Sequence, residues 1–140
     1  MFLASIVNTI IISLCVLLHY EALARLSIML PNVKVMRRLK VLLGLLGAFA
    51  AHVIEIWVFA LGYYVLIESN RFGELTGDID HKLLDYVYYS FVTYTSLGFG
   101  DVLPTHHLRF LSGLEALTGL ILIAWSASFI YVEMQKYWKH

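Results

Sequence analysis

Charge is scarce in this 140-residue chain: Lys, Arg, Asp and Glu make up 14 %, ten basic against ten acidic, for a net charge of zero. Without a basic run or a net positive field it offers no electrostatic footprint for nucleic acid, which is not an expected partner. Cysteine is scarcer still. Cys15 stands alone in an apolar stretch, so an intrachain disulfide is excluded and no zinc-ligand spacing exists. No span repeats arginine at regular intervals, as a voltage sensor would. No nucleophile, base and orienting group fall into a catalytic pattern. An enzyme is therefore not expected, and no cofactor is called for.

What is present is apolar: 60 % of the residues are hydrophobic, a balance suited to lipid. Three segments, about residues 2–19, 41–67 and 108–132, reach the roughly 20 residues a helix needs to cross a bilayer. A fourth, residues 82–94, is too short to span and too aromatic for a surface loop, which predicts a re-entrant half-helix with Asp80 capping its start. Ala22-Leu23-Ala24 resembles a signal-peptide cleavage site, but no Lys or Arg precedes the first apolar run. That run therefore reads as a membrane helix.

The first span occupies residues 1–20 and a basic connector residues 21–40, where Leu23, Leu26 and Leu30 beside Arg25 fit an interfacial helix or a solvated loop before Pro31. The connector carries Arg25, Lys34, Arg37, Arg38 and Lys40 against Glu21, whereas the segment after the second span carries Glu68, Glu74, Asp78, Asp80 and Asp85 against Arg71 and Lys82. The basic side is expected in the cytoplasm. The amino terminus is then outside, Lys136 and Lys139 are inside, and the half-helix enters from the outer face.

After the half-helix comes Thr95-Ser96-Leu97-Gly98-Phe99-Gly100-Asp101. Irregular backbone survives at membrane depth only against protein or a water-filled path. Gly98 and Gly100 open backbone angles closed to other residues, so that successive carbonyls can point one way while Leu97 and Phe99 turn outward. A row of inward carbonyls can replace the water shell of a cation. Taken alone, a G-x-G is better read as a tight turn.

With its flanks, the stretch resembles the T-T-V-G-Y-G-D motif of tetrameric potassium channels, whose TVGYG filter selects ions through its backbone carbonyls. Tyr88 and Tyr89 stand where many of these channels carry an aromatic pair, Pro104 follows the motif, and the order of outer helix, pore helix, filter and inner helix is the family's. The resemblance implies an all-α membrane protein in which residues 41–140 form the pore domain, preceded by one extra transmembrane helix. It further implies a homotetramer in the lipid bilayer of the cell, passing monovalent cations. Potassium ions would be the permeant ligand, held at the carbonyls of Ser96, Leu97, Gly98 and Phe99, with Gly100 completing the filter and Tyr88, Tyr89, Thr95 and Asp101 supporting it. Ser96 for threonine keeps the hydroxyl and Leu97 for valine changes apolar packing. Phe99 for tyrosine removes a hydroxyl that usually ties the filter to its surroundings. A poorly selective channel, or an accessory protein that does not conduct, are the alternatives.

Gly119 lies where the family's inner helix often carries a hinge; close helix packing explains a glycine there equally well. Leu120, Ile123, Ala124 and Ala127 are expected to face a central cavity. His52, Glu55 and Glu115 are ionisable groups inside spans and so functional candidates. At about 1.5 Å per residue, Glu55 and Glu115 lie roughly 18 and 11 Å from the outer ends, close enough for one buried polar cluster or for Glu115 to brace the filter. His106 and His107 read as a solvated pair that has the chemistry to sense pH or bind metal.

Overall fold

The computed structural model describes residues 2–138. Lys139, one of the two lysines expected at the inner face, lies outside them. The elements are α1 (Phe2–Asn32), α2 (Arg37–Glu68), β1 (Leu75–Gly77), α3 (Leu83–Tyr94), β2 (Val102–Pro104) and α4 (Leu108–Tyr137). Helices α1, α2 and α4 are 31, 32 and 30 residues long, and each contains a span long and apolar enough to cross a membrane. At 1.5 Å per residue they measure about 45 Å, longer than a hydrocarbon core of about 30 Å, so each tilts or projects into the interface.

The basic connector is not a separate segment. Helix α1 continues through residues 21–30 and ends only after Pro31, so neither the interfacial helix nor the solvated loop is present, and the link to α2 is residues 33–36. The reason lies in glycines on α2. A Cβ at Gly47 would stand 2.5 Å from Leu26 Cδ2, one at Gly62 2.7 Å from Ile11 Cδ1 and one at Gly44 3.2 Å from Leu30 Cδ1. Side chains of α1 thus seat directly on the α2 backbone, in antiparallel register along the whole pair. Small residues allow this close approach where no hydrophobic drive between helices exists. Leu23 and Leu30 are buried accordingly.

Helix α3 begins with a different cap from the one expected. The Asp85 carboxylate accepts the backbone N–H groups of Asp80 and Lys82 at 3.1 and 3.0 Å, while the Asp80 side chain takes the Lys82 ammonium at 2.8 Å. The anion inside the first turn faces the free N–H groups and the positive end of the dipole. Strands β1 and β2 pair antiparallel, Leu75 opposite Pro104 and Gly77 opposite Val102, and so join the chain entering α3 to the chain leaving the glycine segment. Three residues per strand are too few for alternation to reveal in sequence. Helix α3 is wedged against α2 and α4 over a core that includes Phe59, Tyr63, Tyr86, Tyr94 and Leu111.

Candidate functional site

The glycine segment hangs from the end of α3. Ser96, Gly98 and Gly100 have φ of 58°, 58° and 79°, the left-handed region, at alternate positions. The N–H groups of Leu97 and Gly98 both turn back to the Val92 carbonyl at 2.9 and 3.2 Å, and that of Ser96 to Thr93 O at 2.9 Å. Thr95 closes the helix, its hydroxyl donating to Phe91 O at 2.7 Å. Donors spent on α3, with backbone of alternating hand, leave the carbonyls of this segment unclaimed by its own helix. Leu97 and Phe99 are 57 % and 66 % exposed in the single chain, and a Cβ on Gly98 or Gly100 would meet nothing within 4 Å. The positive φ at the two glycines is the one read from sequence; Ser96 adopts it as well.

Tyr88 and Tyr89, adjacent on α3, do different work. The Tyr88 hydroxyl donates to Asp101 Oδ2 at 2.5 Å, which holds that carboxyl below its usual range and ties the segment's far end to the helix. Tyr89 is buried, sharing a hydrogen bond of 2.7 Å with Ser112 on α4 and packing edge-on against Tyr63 of α2. His107 N donates to Phe72 O at 3.1 Å and its ring packs edge-on against Phe72, so it serves to anchor the start of α4.

His52, Glu55 and Glu115 do not form one cluster: they are divided between two, one turn apart along α3, because the carboxylates lie at different depths. Glu115 is fully buried. Its Oε2 accepts from the Tyr63 hydroxyl at 2.6 Å, and its Oε1 lies 2.5 Å from Ser90 Oγ on α3. Ser90 also lies 2.9 Å from Ile56 O. A hydroxyl has one proton, so Ser90 can give it to only one of the two at a time, and no cation is among the partners of Glu115. Glu115→Gln, which keeps one donor and one acceptor, is therefore expected to leave the thermal midpoint of the solubilised protein nearly unchanged. Glu115→Ala, which strands the Tyr63 and Ser90 groups, should cost about 1–3 kcal/mol. Equal losses in both variants would show the carboxylate to be ionised.

Glu55, one turn lower, is also fully buried, and its partners come from three helices. Its Oε1 lies 2.8 Å from His19 Nδ1 of α1 and its Oε2 accepts from the Tyr94 hydroxyl of α3, while His52 Nδ1 lies 2.9 Å from that hydroxyl and 3.2 Å from Oε2. Ser126 of α4 stands between the far nitrogens, 2.9 Å from His52 Nε2 and 3.3 Å from His19 Nε2. Three ligand-type atoms, from His19, His52 and Glu55, lie within 4.8 Å of one another. Each already has a hydrogen-bond partner, so the geometry is that of a bonded network. Sequence reasoning alone does not single out His19, Tyr94 or Ser126. An ionisable His19 inside an apolar span is the available signal.

Gly119 is the point at which α4 meets α3. A Cβ there would fall 2.1 Å from Tyr94 O and 2.9 Å from Tyr94 C, and α4 runs through it unbroken. Close packing is sufficient reason for the glycine. Leu120, Ile123, Ala124 and Ala127 are all exposed on the single chain.

Three long apolar helices and a short helix ending in a glycine segment define a membrane protein with a re-entrant element. Residues 51–136, well over half the chain, match the family model described as Ion channel, and the chain belongs to this ion channel family. The match begins within α2, so α1 lies outside it. No curated protein and no solved structure is matched.

Proposed function

We propose that the chain is a passive potassium-selective channel of the cell membrane, in which four copies place their glycine segments around one axis. The observation that carries the reading is the alternating left-handed backbone at Ser96, Gly98 and Gly100 with the Leu97 and Gly98 N–H groups bound to Val92 O. On this reading the carbonyls of Ser96, Leu97, Gly98 and Phe99 turn to the shared axis, where a ring of them replaces the hydration shell of a dehydrated cation. One chain cannot encircle an ion. The exposed Leu97 and Phe99 side chains and the open space beside both glycines fit the approach of neighbouring copies, as a closed ring of like subunits requires. Asp101 sits at the outer mouth, ionised. The carboxyl end of α3 points its partial negative charge toward the inner end of the path, which favours a cation there.

The departures at Ser96, Leu97 and Phe99 favour a second reading, a poorly selective cation channel, because Phe99 has no phenol to fix the strand's width. Flux of potassium against sodium from vesicles of the purified protein tests both: potassium flux far exceeding sodium is expected, and equal fluxes would establish the second. Mass measurement of the complex in mild detergent is expected to give four chains. A stable monomer or dimer, or vesicles with no flux of either ion, would defeat the channel reading and leave a non-conducting accessory protein.

A further inference from the structure

We infer that helix α1, which lies outside the family match, is part of the scaffold that holds the ion path. His19 is a positioning residue: it fixes Glu55 so that Glu55 fixes Tyr94, the last residue of the helix from which the glycine segment hangs. The effect of this link on ions rests on the channel reading above; the link itself does not.

Tyr94 is gripped at both of its ends. Its main-chain carbonyl abuts Gly119 of α4, where a Cβ would come within 2.1 Å. Its ring, 1 % exposed, packs edge-on against Phe59 and His52 of α2, and its hydroxyl donates to Glu55 Oε2 with His52 Nδ1 at 2.9 Å. Thr95 follows at once, and the Leu97 and Gly98 N–H groups return to the carbonyl of Val92, two residues before Tyr94. The first residues of the segment are therefore set by where Tyr94 sits.

A carboxylate alone is a poor anchor, because it can turn about its last torsion and offer either oxygen. Here that turn is opposed from α1. Glu55 Oε1 lies 2.8 Å from His19 Nδ1, both side chains fully buried, which leaves Oε2 to the phenol. His19 is held in its turn: its ring packs on that of His52 with centroids 5.0 Å apart and on Trp125 of α4 at 5.4 Å, and its Nε2 is 3.3 Å from Ser126 Oγ. The contact needs no particular charge on the ring, since a neutral imidazole has both a donor and an acceptor.

The register of α1 on α2 puts His19 in place. Ile11 seats on Gly62 and Leu26 on Gly47. His19 stands eight residues after Ile11 and seven before Leu26, and Glu55 seven before Gly62 and eight after Gly47. The polar pair thus lies midway between two close seats, and neither helix can slide without unseating both side chains. Apolar packing alone would not call for a histidine inside a span, where an ionisable group is costly without a partner.

The test compares His19→Leu and His19→Ser, which break the link, with His19→Asn. Asparagine carries a donor and an acceptor on the same γ carbon as the imidazole and keeps the link whichever way the hydrogen runs. Ile11→Ala is the packing control, loosening the seat on Gly62 without touching the polar pair. Each full-length variant is reconstituted in phosphatidylcholine vesicles once its assembled mass is known. The ratio of potassium to sodium flux should fall about three- to tenfold in His19→Leu and His19→Ser, the factor that one hydrogen bond is worth, and stay at the parent's value in His19→Asn and Ile11→Ala. The small, polar serine keeps the test decisive where leucine does not assemble. Backbone hydrogen exchange in the same vesicles reads the link without ions: the Leu97 and Gly98 amides should exchange about tenfold faster in the two broken variants alone. Ratio and exchange both unchanged in an assembled His19→Ser, or changes of equal size in Ile11→Ala, would reduce α1 to a packing helix and overturn the inference. Exchange that responds while the ratio does not would overturn the effect on ions. A parent that passes no ion would count against the channel reading, and exchange would still decide the link.

Discussion

Gly119→Ala is expected to reduce ion flux by at least about tenfold and to destabilise the folded protein by an overpacking penalty of about 1–3 kcal/mol per chain. The methyl group would stand 2.1 Å from the Tyr94 carbonyl oxygen, and a backbone atom cannot swing aside as a side-chain tip can. Helix α4 must withdraw from the end of α3, and the cost falls where Tyr94 reaches Glu55 and where the glycine segment begins. Gly113, six residues earlier in α4, provides the control, since a Cβ there meets nothing within 4 Å and alanine is the better helix former. Thermal unfolding of the solubilised protein and vesicle flux should both separate the two variants. If Gly119→Ala matched Gly113→Ala in each, the close contact would not matter. Normal stability with altered opening would instead restore the hinge role.

How far these contacts are legible in the sequence depends on the range over which each is determined. The spans follow from local composition, and the membrane requirement that a backbone satisfy itself leaves helices as the solution; hence α2, α3 and α4 lie close to where the length and composition of the apolar segments place them. The positive φ of Gly98 and Gly100 is equally local. The continuation of α1 past residue 20 is hidden because it depends on a partner. Leu26 and Leu30 look like the apolar face of a surface helix until Gly47 and Gly44 are seen beneath them.

The polar interior shows the same division. That Glu55, His52 and Glu115 need partners can be read from the cost of burying them, whereas which partners cannot. Sequence spacing joins His52 to Glu55, one turn apart on α2, and wrongly joins both to Glu115. The actual grouping is set by α3, whose Ser90 and Tyr94, one turn apart, deal one carboxylate to each. His19 enters only because the α1–α2 register brings it opposite Glu55. The two acids therefore have different surroundings: Glu55 faces two imidazoles and a phenol, and Glu115 faces only hydroxyls.

Gly98→Ala is expected to abolish potassium flux while the chain still inserts and assembles. The cause is strain and not collision, for a Cβ at Gly98 meets no atom within 4 Å of the single chain, yet φ there is 58°. An L-residue in that region costs about 1–2 kcal/mol, and in the proposed ring of four copies it would be borne four times over, at the place where on that reading carbonyl direction decides whether an ion is held. Ser96 already holds a φ of 58° with its side chain, so one such residue per chain is tolerated. A second, two residues on, would press the strand to turn its peptide over, which aims an N–H group where the carbonyl stood and so presents a positive dipole end to a cation. Leu97→Val, which changes apolar bulk at an exposed side chain and leaves the backbone free to keep its alternation, should retain flux. Measured together in vesicles with the assembled mass of each variant, the pair isolates backbone geometry from packing. Potassium flux in Gly98→Ala equal to the parent's, from an assembly of normal mass, would exclude this segment as the path.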